Sequence, residues 1–206
     1  MIHFEDYHRT IVGYHGTRLS VALDIVNRRQ DFDPPENEGD WLGRGVYFWE
    51  YAPRQAEWWA NRVRKLKKWD EPVAILGSMI RLGACLDLLD PLNMKVIKGY
   101  HDDLRQDRSS LGIPMPENRR NKRSLDCAVF EYLYAKLDPP GEPRRYAVDT
   151  ARGAYVPTAE KKRIWAGSWL YEQSHIQICV RNPACILGTW LHKPSATGAD
   201  DGQVPD

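Results

Sequence analysis

Apolar positions along the chain fall into short runs, each ended by glycine, proline or acidic stops. TIVGYHGT (10–17) is β-branched and aromatic and stops at Gly16, which predicts a strand. In RLSVALDIVNRR (18–29), Leu19, Val21, Leu23, Ile25 and Val26 make one apolar face and Arg28 and Arg29 follow it, which predicts a helix. DFDPPENEGDWLGRG (31–45) is rich in proline, glycine and acids and reads as a loop. GVYFW predicts a strand, and PRQAEWWANRVRKLKK a helix with Pro53 at its first position. PVAILGSMIRLG (72–83) reads as a buried strand, and a helix is expected after Pro91. PENRRNKRS (116–124) is a loop, and LDCAVFEYLYAKL a helix stopped by Asp138-Pro139-Pro140-Gly141. RRYAVD (144–149) predicts a short strand, followed by a long polar and aromatic segment over 150–173. HIQICV alternates and ends at Asn182-Pro183, and ACILGTWL is a last strand, the two reading as hairpin-like. Unequal connections and that hairpin-like pair favour a mixed α+β fold over a doubly wound parallel sheet.

Composition narrows this picture. A chain of 206 residues suits one ordinary domain, here 1–192, with an insertion at about 88–140 and a disordered tail over 193–206. At this size roughly two-thirds of the unfolded surface is buried, so neither metal nor disulfide is needed as a staple. The four cysteines form no CxxC pair, and the expectation is buried free thiols in a reducing compartment. The start, MIHFEDYHRT, has neither the basic nor the apolar region of a signal peptide, and no apolar run is long enough to span a membrane, so a cytoplasmic location is expected. Net charge is +1, yet NRVRKLKK (61–68), NRRNKR (118–123) and KKR (161–163) are local basic clusters, which are usually solvated faces and less often nucleic-acid contacts. Eight tryptophans and ten tyrosines supply flat rings for any site that must stack one.

Two stretches carry the candidate chemistry: YHGT, with His15 and Gly16 at a strand end, and GRGVYFWE, with Tyr47 in an aromatic strand. Taken singly, His15 and Tyr47 read as structural residues; one site becomes the better reading through the family resemblance that they carry with Gly16, Thr17, the double-glycine turn and Trp58. Together they resemble the donor-binding half of ADP-ribosyltransferases, in the diphtheria-toxin and poly(ADP-ribose) polymerase branch marked by His, Tyr and Glu on three strands. The resemblance covers about 9–82 and, less closely, 170–192; the segment 83–169 matches nothing in it. It implies that His15 holds the adenosine-ribose hydroxyl of NAD, that the Gly16 backbone pairs with the nicotinamide amide, and that Tyr47 and Trp58 sandwich the nicotinamide ring. Gln55 stands where many relatives carry a serine for that amide. Thr17, Arg18 and Gly45 complete the implied cofactor-binding set, with Arg18 or Arg44 meeting the diphosphate. No metal is implied.

At the third position the chain departs from the pattern, because Gln177 falls where the glutamate is expected. The reaction breaks the nicotinamide–ribose bond through an oxocarbenium-like transition state, so a preorganised negative charge at that point is worth roughly 10²–10³ in rate by analogy with oxyanion stabilisers. Glutamine keeps the grip on a ribose hydroxyl and loses the charge. His175, two residues earlier on the same face, is the nearest candidate partner, and Glu172 and Asp149 are looser ones. The resemblance places an acceptor-recognition loop in DTARGAYVPTAEKKRIWAGSWLYEQ, where Arg152, Tyr155, Trp165 and Trp169, with His175, face the target; a loop-fixing salt bridge is the structural reading of Arg152. The expected fold is therefore an ADP-ribosyltransferase-type split, twisted sheet flanked by helices. The expected activity is transfer of one ADP-ribose from NAD, as co-substrate, to a protein or nucleic-acid acceptor, without chain elongation. By analogy this suits a bacterial toxin or phage-defence effector, with an antitoxin as a further partner. The alternatives are a non-catalytic NAD- or ADP-ribose-binding module and an NAD glycohydrolase.

Overall fold

The computed structural model describes residues 6–34, 37–119, 122–138, 141, 145–157 and 162–193. Its α+β architecture is built on eight strands and four α-helices: β1 (Asp6–Arg18), α1 (Leu19–Val26), β2 (Val46–Glu50), α2 (Pro53–Lys67), β3 (Val73–Asp87), α3 (Pro91–Ser110), β4 (Asn118–Arg119), β5 (Lys122–Arg123), α4 (Ser124–Leu137), β6 (Thr150–Tyr155), β7 (His175–Val180) and β8 (Ile186–Leu191). The main sheet runs β1-β2-β7-β6-β3-β8, and β1 also pairs with β3. That extra pairing closes β1, β2, β7, β6 and β3 on themselves, with β8 attached to the outer side of β3. All pairings in this sheet are antiparallel except β3 with β6.

The sheet alternates its side chains between two apolar regions, as the two-residue period of a strand requires. Ile11, Val46, Phe48, Ile80, Leu82, Ile178 and Val180 form the core enclosed by the strands, capped by Phe32 from the loop after α1. The opposite face packs on helices: Leu42, Leu86, Ala151 and Cys179 meet Phe130, Leu133 and Tyr134 of α4, while Trp49 and Ile75 meet Ala56 and Ala60 of α2. Helix α2 starts where Pro53 sets a helical φ at a position whose N–H needs no partner, and Asp90 caps α3 by accepting from the Leu92 N–H at 2.8 Å. Helix α1 is shorter than its sequence pattern: it ends at Val26, and Arg28 turns into the left-handed region at φ 56°.

Two expectations are corrected. In RRYAVD, whose first residue lies outside the described ones, residues 145–149 are not a strand; the strand begins at Thr150, where Cys85, Leu86 and Asp87 of β3 supply a parallel partner for Thr150–Arg152. The first quarter of the long polar segment is therefore sheet, buried over Thr150–Gly153. The last two strands are not a hairpin either. β7 lies between β2 and β6, whereas the 3₁₀ turn Pro183–Cys185 redirects the chain so that β8 pairs with β3. The hydrophobic pattern marks a strand but not its neighbour. The expected tail falls on 194–206, outside the described residues. All four cysteines are buried free thiols, and no helix among the described residues is long and apolar enough to cross a membrane.

Candidate functional site

The site begins where β1 and β2 part. They pair only through Gly13 with Glu50 and Tyr14 with Trp49. Continued by two residues, the ladder would give the Tyr47 carbonyl to the Gly16 N–H. Instead, the His15 imidazole takes that carbonyl, Nδ1 to O at 2.8 Å. Gly16 sits opposite Ile75 of β3, but the Ile75 carbonyl bonds outward to the His192 N–H at 2.8 Å, so Gly16 and Ile75 form a non-hydrogen-bonded pair. The N–H and C=O of Gly16 therefore both point into the gap between β1 and β2. No hydrogen bond to them is present among the described residues. A donor and an acceptor side by side on a free strand edge match a primary carboxamide, which presents the complementary pair in the same plane.

His15 has a fixed proton. Its Nδ1 faces a carbonyl and so carries the hydrogen, which leaves Nε2 as an acceptor. Burial against Phe32 and Phe48, with ring centroids at 5.5 and 5.7 Å, holds its pKa below the ordinary 6.5, so the ring is neutral at physiological pH. Gly16 has a structural duty as well: a Cβ there would lie 2.5 Å from the Ala56 carbonyl oxygen, so the close approach of α2 requires glycine. Gly45 is small for a similar reason, because a Cβ would meet Cys179 Sγ at 2.5 Å.

Tyr47 is the one residue of β2 that is not fully buried. Its hydroxyl is spent: it donates to the Gly43 carbonyl at 2.9 Å and accepts from the Leu42 N–H at 2.8 Å. Burial pushes its pKa well above the usual tyrosine value. Tyr47 thus offers a ring surface and no transferable proton.

Gln177 lies opposite Trp49 in the β2–β7 ladder and opposite Gly153 in the β6–β7 ladder. Its amide is clamped at both ends. Trp41 Nε1 donates to Oε1 at 2.6 Å, and Nε2 meets His175 Nε2 at 2.9 Å. His175 Nδ1 in turn bonds the Gln173 carbonyl. A carbonyl only accepts, so Nδ1 carries the hydrogen and Nε2 accepts from the Gln177 amide. The chain therefore runs in one direction, from Trp41 through Gln177 and His175 to Gln173, and it needs a neutral His175. Burial lowers the His175 pKa to that effect. Gln177 retains one amide hydrogen and one oxygen lone pair for a ligand.

The other sequence candidates separate. Tyr155 stacks on His175 with centroids 5.1 Å apart, at the mouth of this chain. Trp169 is 91% exposed and Trp165 62%, both on the loop before β7. Trp58 and Gln55 lie half-buried on α2; Trp58 touches Trp59 and the Arg62 guanidinium, and no ring contact with Tyr47 is present among the described residues. Thr17 pairs with Ala74, and Arg18 lies 3.7 Å from Glu71 and over the Trp69 ring. Arg44 is exposed, and its backbone N–H donates to Glu131. Arg152 is corrected: it is 5% exposed and points into the core, with Nε 2.6 Å from Glu50 and Nη1 2.9 Å from Asp87. It ties three strands together. Asp149 is engaged with the Ala84 N–H and the Asn182 side chain, and Glu172 pairs with Lys162 at 3.8 Å.

Two contributors escaped the sequence reading. Trp41 reaches Gln177 from 136 residues away; its one signal was a tryptophan set in a glycine- and acid-rich loop. Trp49, one residue past the aromatic pair of the motif, is buried with its Nε1 unpartnered.

Comparison with known proteins adds a limited likeness. No family model matches the chain, and no solved structure matches it. An uncharacterized protein of Methanocaldococcus jannaschii is 24% identical over 196 residues, covering 84% of this chain and 83% of that one. Human poly [ADP-ribose] polymerase 2 is 28% identical over 102 residues, 47% of this chain and 16% of the human protein. The likeness is partial and distant. It supports a relationship to ADP-ribosyltransferases at most.

Proposed function

We propose that this chain cleaves NAD at the nicotinamide–ribose bond and transfers a single ADP-ribose to a macromolecular acceptor. The observation that carries the reading is the unpaired Gly16 N–H and C=O, freed because His15 takes the Tyr47 carbonyl. Nicotinamide bears a primary carboxamide, and that edge is its complement. Tyr47 would supply the platform for the ring. His15 Nε2 would accept from a ribose hydroxyl, and the free lone pair of Gln177 Oε1 from another. The chemistry balances without a further reactant. The C–N bond breaks with its electron pair passing to the nicotinamide nitrogen, a lone pair on the acceptor forms the new bond at the anomeric carbon, and the acceptor proton leaves to solvent. Gln177 supplies hydrogen bonds and no charge, which suits one transfer to a reactive acceptor better than elongation. The distant likeness to human poly [ADP-ribose] polymerase 2 points the same way. A toxin or phage-defence setting is the biological role this activity suits.

The test is incubation with NAD labelled in its ADP-ribose part, with and without cell lysate, followed by nuclease or protease. Label is expected on macromolecules, and His15→Ala is expected to abolish it in a folded protein. Free ADP-ribose alone would make water the acceptor, and NAD bound but not consumed would leave only a binding module.

A further inference from the structure

Beside Gln177 a strip of aromatic rings runs across the helix-packed face of the sheet. Trp41 meets Tyr155 at 6.4 Å between centroids, Tyr155 stacks on His175 at 5.1 Å, His175 meets Trp49 at 6.3 Å, and Trp49 meets Trp59 at 6.2 Å. Register explains the alignment: Tyr155 pairs with His175, and Trp49 with Gln177, so these side chains leave the sheet on the same side. Gly153, between them on β6, has no side chain, and a Cβ there would lie 2.6 Å from Trp41 Cη2; the strand leaves room for that indole. The strip is not a closed core, since Tyr155 is 37% and Trp59 45% exposed. At its centre the Trp49 N–H is enclosed without an acceptor among the described residues, a state that costs roughly 1–3 kcal/mol when nothing compensates it.

The strip ends on α2, where charge takes over. Arg62, Arg64, Lys65, Lys67 and Lys68 fall within seven residues with no acid among them. None is in an ion pair among the described residues. Arg62 lies over the Trp58 ring at 5.7 Å. A strip of half-exposed rings joined to an uncompensated cationic helix is complementary to a chain that is anionic along its backbone and carries flat rings at regular steps.

We infer that this face binds single-stranded nucleic acid, and that nucleic acid is the acceptor class. The inference rests on the proposed transferase reading for its second half only. Backbone phosphates meet α2, bases stack along Trp59, Tyr155 and His175, and one base or sugar hydroxyl comes to lie beside Gln177. A duplex hides its base faces and suits the strip less. An acidic peptide satisfies the helix but brings no regular series of rings.

The experiment is fluorescence anisotropy with labelled RNA and DNA single strands of about 12 nucleotides, their duplexes, and an acidic tyrosine-containing peptide, without NAD. Single strands are expected to bind more tightly than duplex or peptide and to weaken steeply between 50 and 200 mM salt. Trp59→Ala is expected to weaken binding about tenfold, and the double variant Arg62→Glu, Lys65→Glu to weaken it further and flatten the salt dependence. These side chains are exposed, so the variants fold, and thermal melts check that they do. The RNA and DNA arms separate the two polymers. Absence of single-strand binding at low salt, preference for the peptide, or indifference to Trp59→Ala would overturn the inference. NAD consumption without oligonucleotide binding defeats this proposal alone; oligonucleotide binding without NAD consumption defeats the transferase reading and leaves the surface standing.

Discussion

At the scale of single residues, the site works by assigning every proton. His15 gives its Nδ1 hydrogen to the Tyr47 carbonyl, and Tyr47 gives its hydroxyl hydrogen to the Gly43 carbonyl. Neither group is then left to act as an acid at neutral pH. Tyr47→Phe is therefore expected to retain NAD turnover within a few-fold, because the ring remains, while losing roughly 1–3 kcal/mol of stability as the Leu42 N–H and Gly43 C=O go unpaired. Parallel turnover and denaturation measurements check this, and loss of turnover in a stable Tyr47→Phe protein would restore a role for the hydroxyl. Gln177 is constrained in the same way. Only an amide both accepts from Trp41 and donates to a neutral His175. With Gln177→Glu the carboxylate cannot donate, so His175 must take up a proton to complete the chain. Its pKa, lowered in the parent, is expected to rise above the ordinary histidine value, read by NMR titration of the imidazole. An unchanged His175 titration would show that the two side chains do not interact. NAD cleavage is expected to be retained or raised, since the variant adds the negative charge the glutamine lacks.

At the scale of elements, the sheet is held closed by charge as well as by apolar packing. Arg152 on β6 joins Glu50 at the end of β2 to Asp87 at the end of β3, with Arg9 of β1 approaching Glu50 at 3.7 Å. Removing the arginine leaves Asp87 without its cation and Glu50 with only the more distant, exposed Arg9. Arg152→Ala is expected to cost about 3–5 kcal/mol, measured by denaturant unfolding, and Arg152→Lys is expected to recover little, since an ammonium cannot reproduce the forked geometry. The sequence reading set Arg152 in an acceptor-recognition loop, whereas the structure buries it in the sheet. A sequence shows a charged residue in a polar stretch; it does not show that two carboxylates, 102 and 65 positions away, meet it inside the sheet. The unpredicted strand Thr150–Tyr155 has the same origin, because its partner edge comes from β3 rather than from its own pattern. Elements whose stability is local were legible: Pro53 opening α2, Asp90-Pro91 opening α3, and the alternation of HIQICV.

At the scale of the whole molecule, pH acts on stability through opposed groups. His15 and His175 have folded pKa values below the ordinary 6.5. The unfolded chain therefore binds more protons, and their contribution, full above pH 6.5, is lost as pH falls through that value toward the folded pKa values. Asp40, in the loop that carries Trp41, is raised from 3.8 to about 6 by burial. Its ionisation costs stability as pH rises from 3.8 to about 6, and the cost persists above that. Asp40→Asn is expected to stabilise the protein by about 1 kcal/mol at pH 7, a figure reduced for partial solvent screening. The same substitution is expected to change nothing below about pH 4. Urea melts of parent and variant across pH 3.5–8 check both ends, and a stabilisation independent of pH would remove the carboxylate from the explanation.

By itself the sequence determined the order and type of most elements, because glycine stops, proline starts and aromatic runs act over a few residues. It also placed Gln177 on the same strand face as His175, since a two-residue period is enough to say so. Only the tertiary structure decided that the Gly16 edge stays free, that Trp41 and His175 orient the Gln177 amide, and that Arg152 is buried. Each of these depends on which strand lies beside which. That neighbour is set by closure of the whole sheet, through contacts between residues dozens of positions apart.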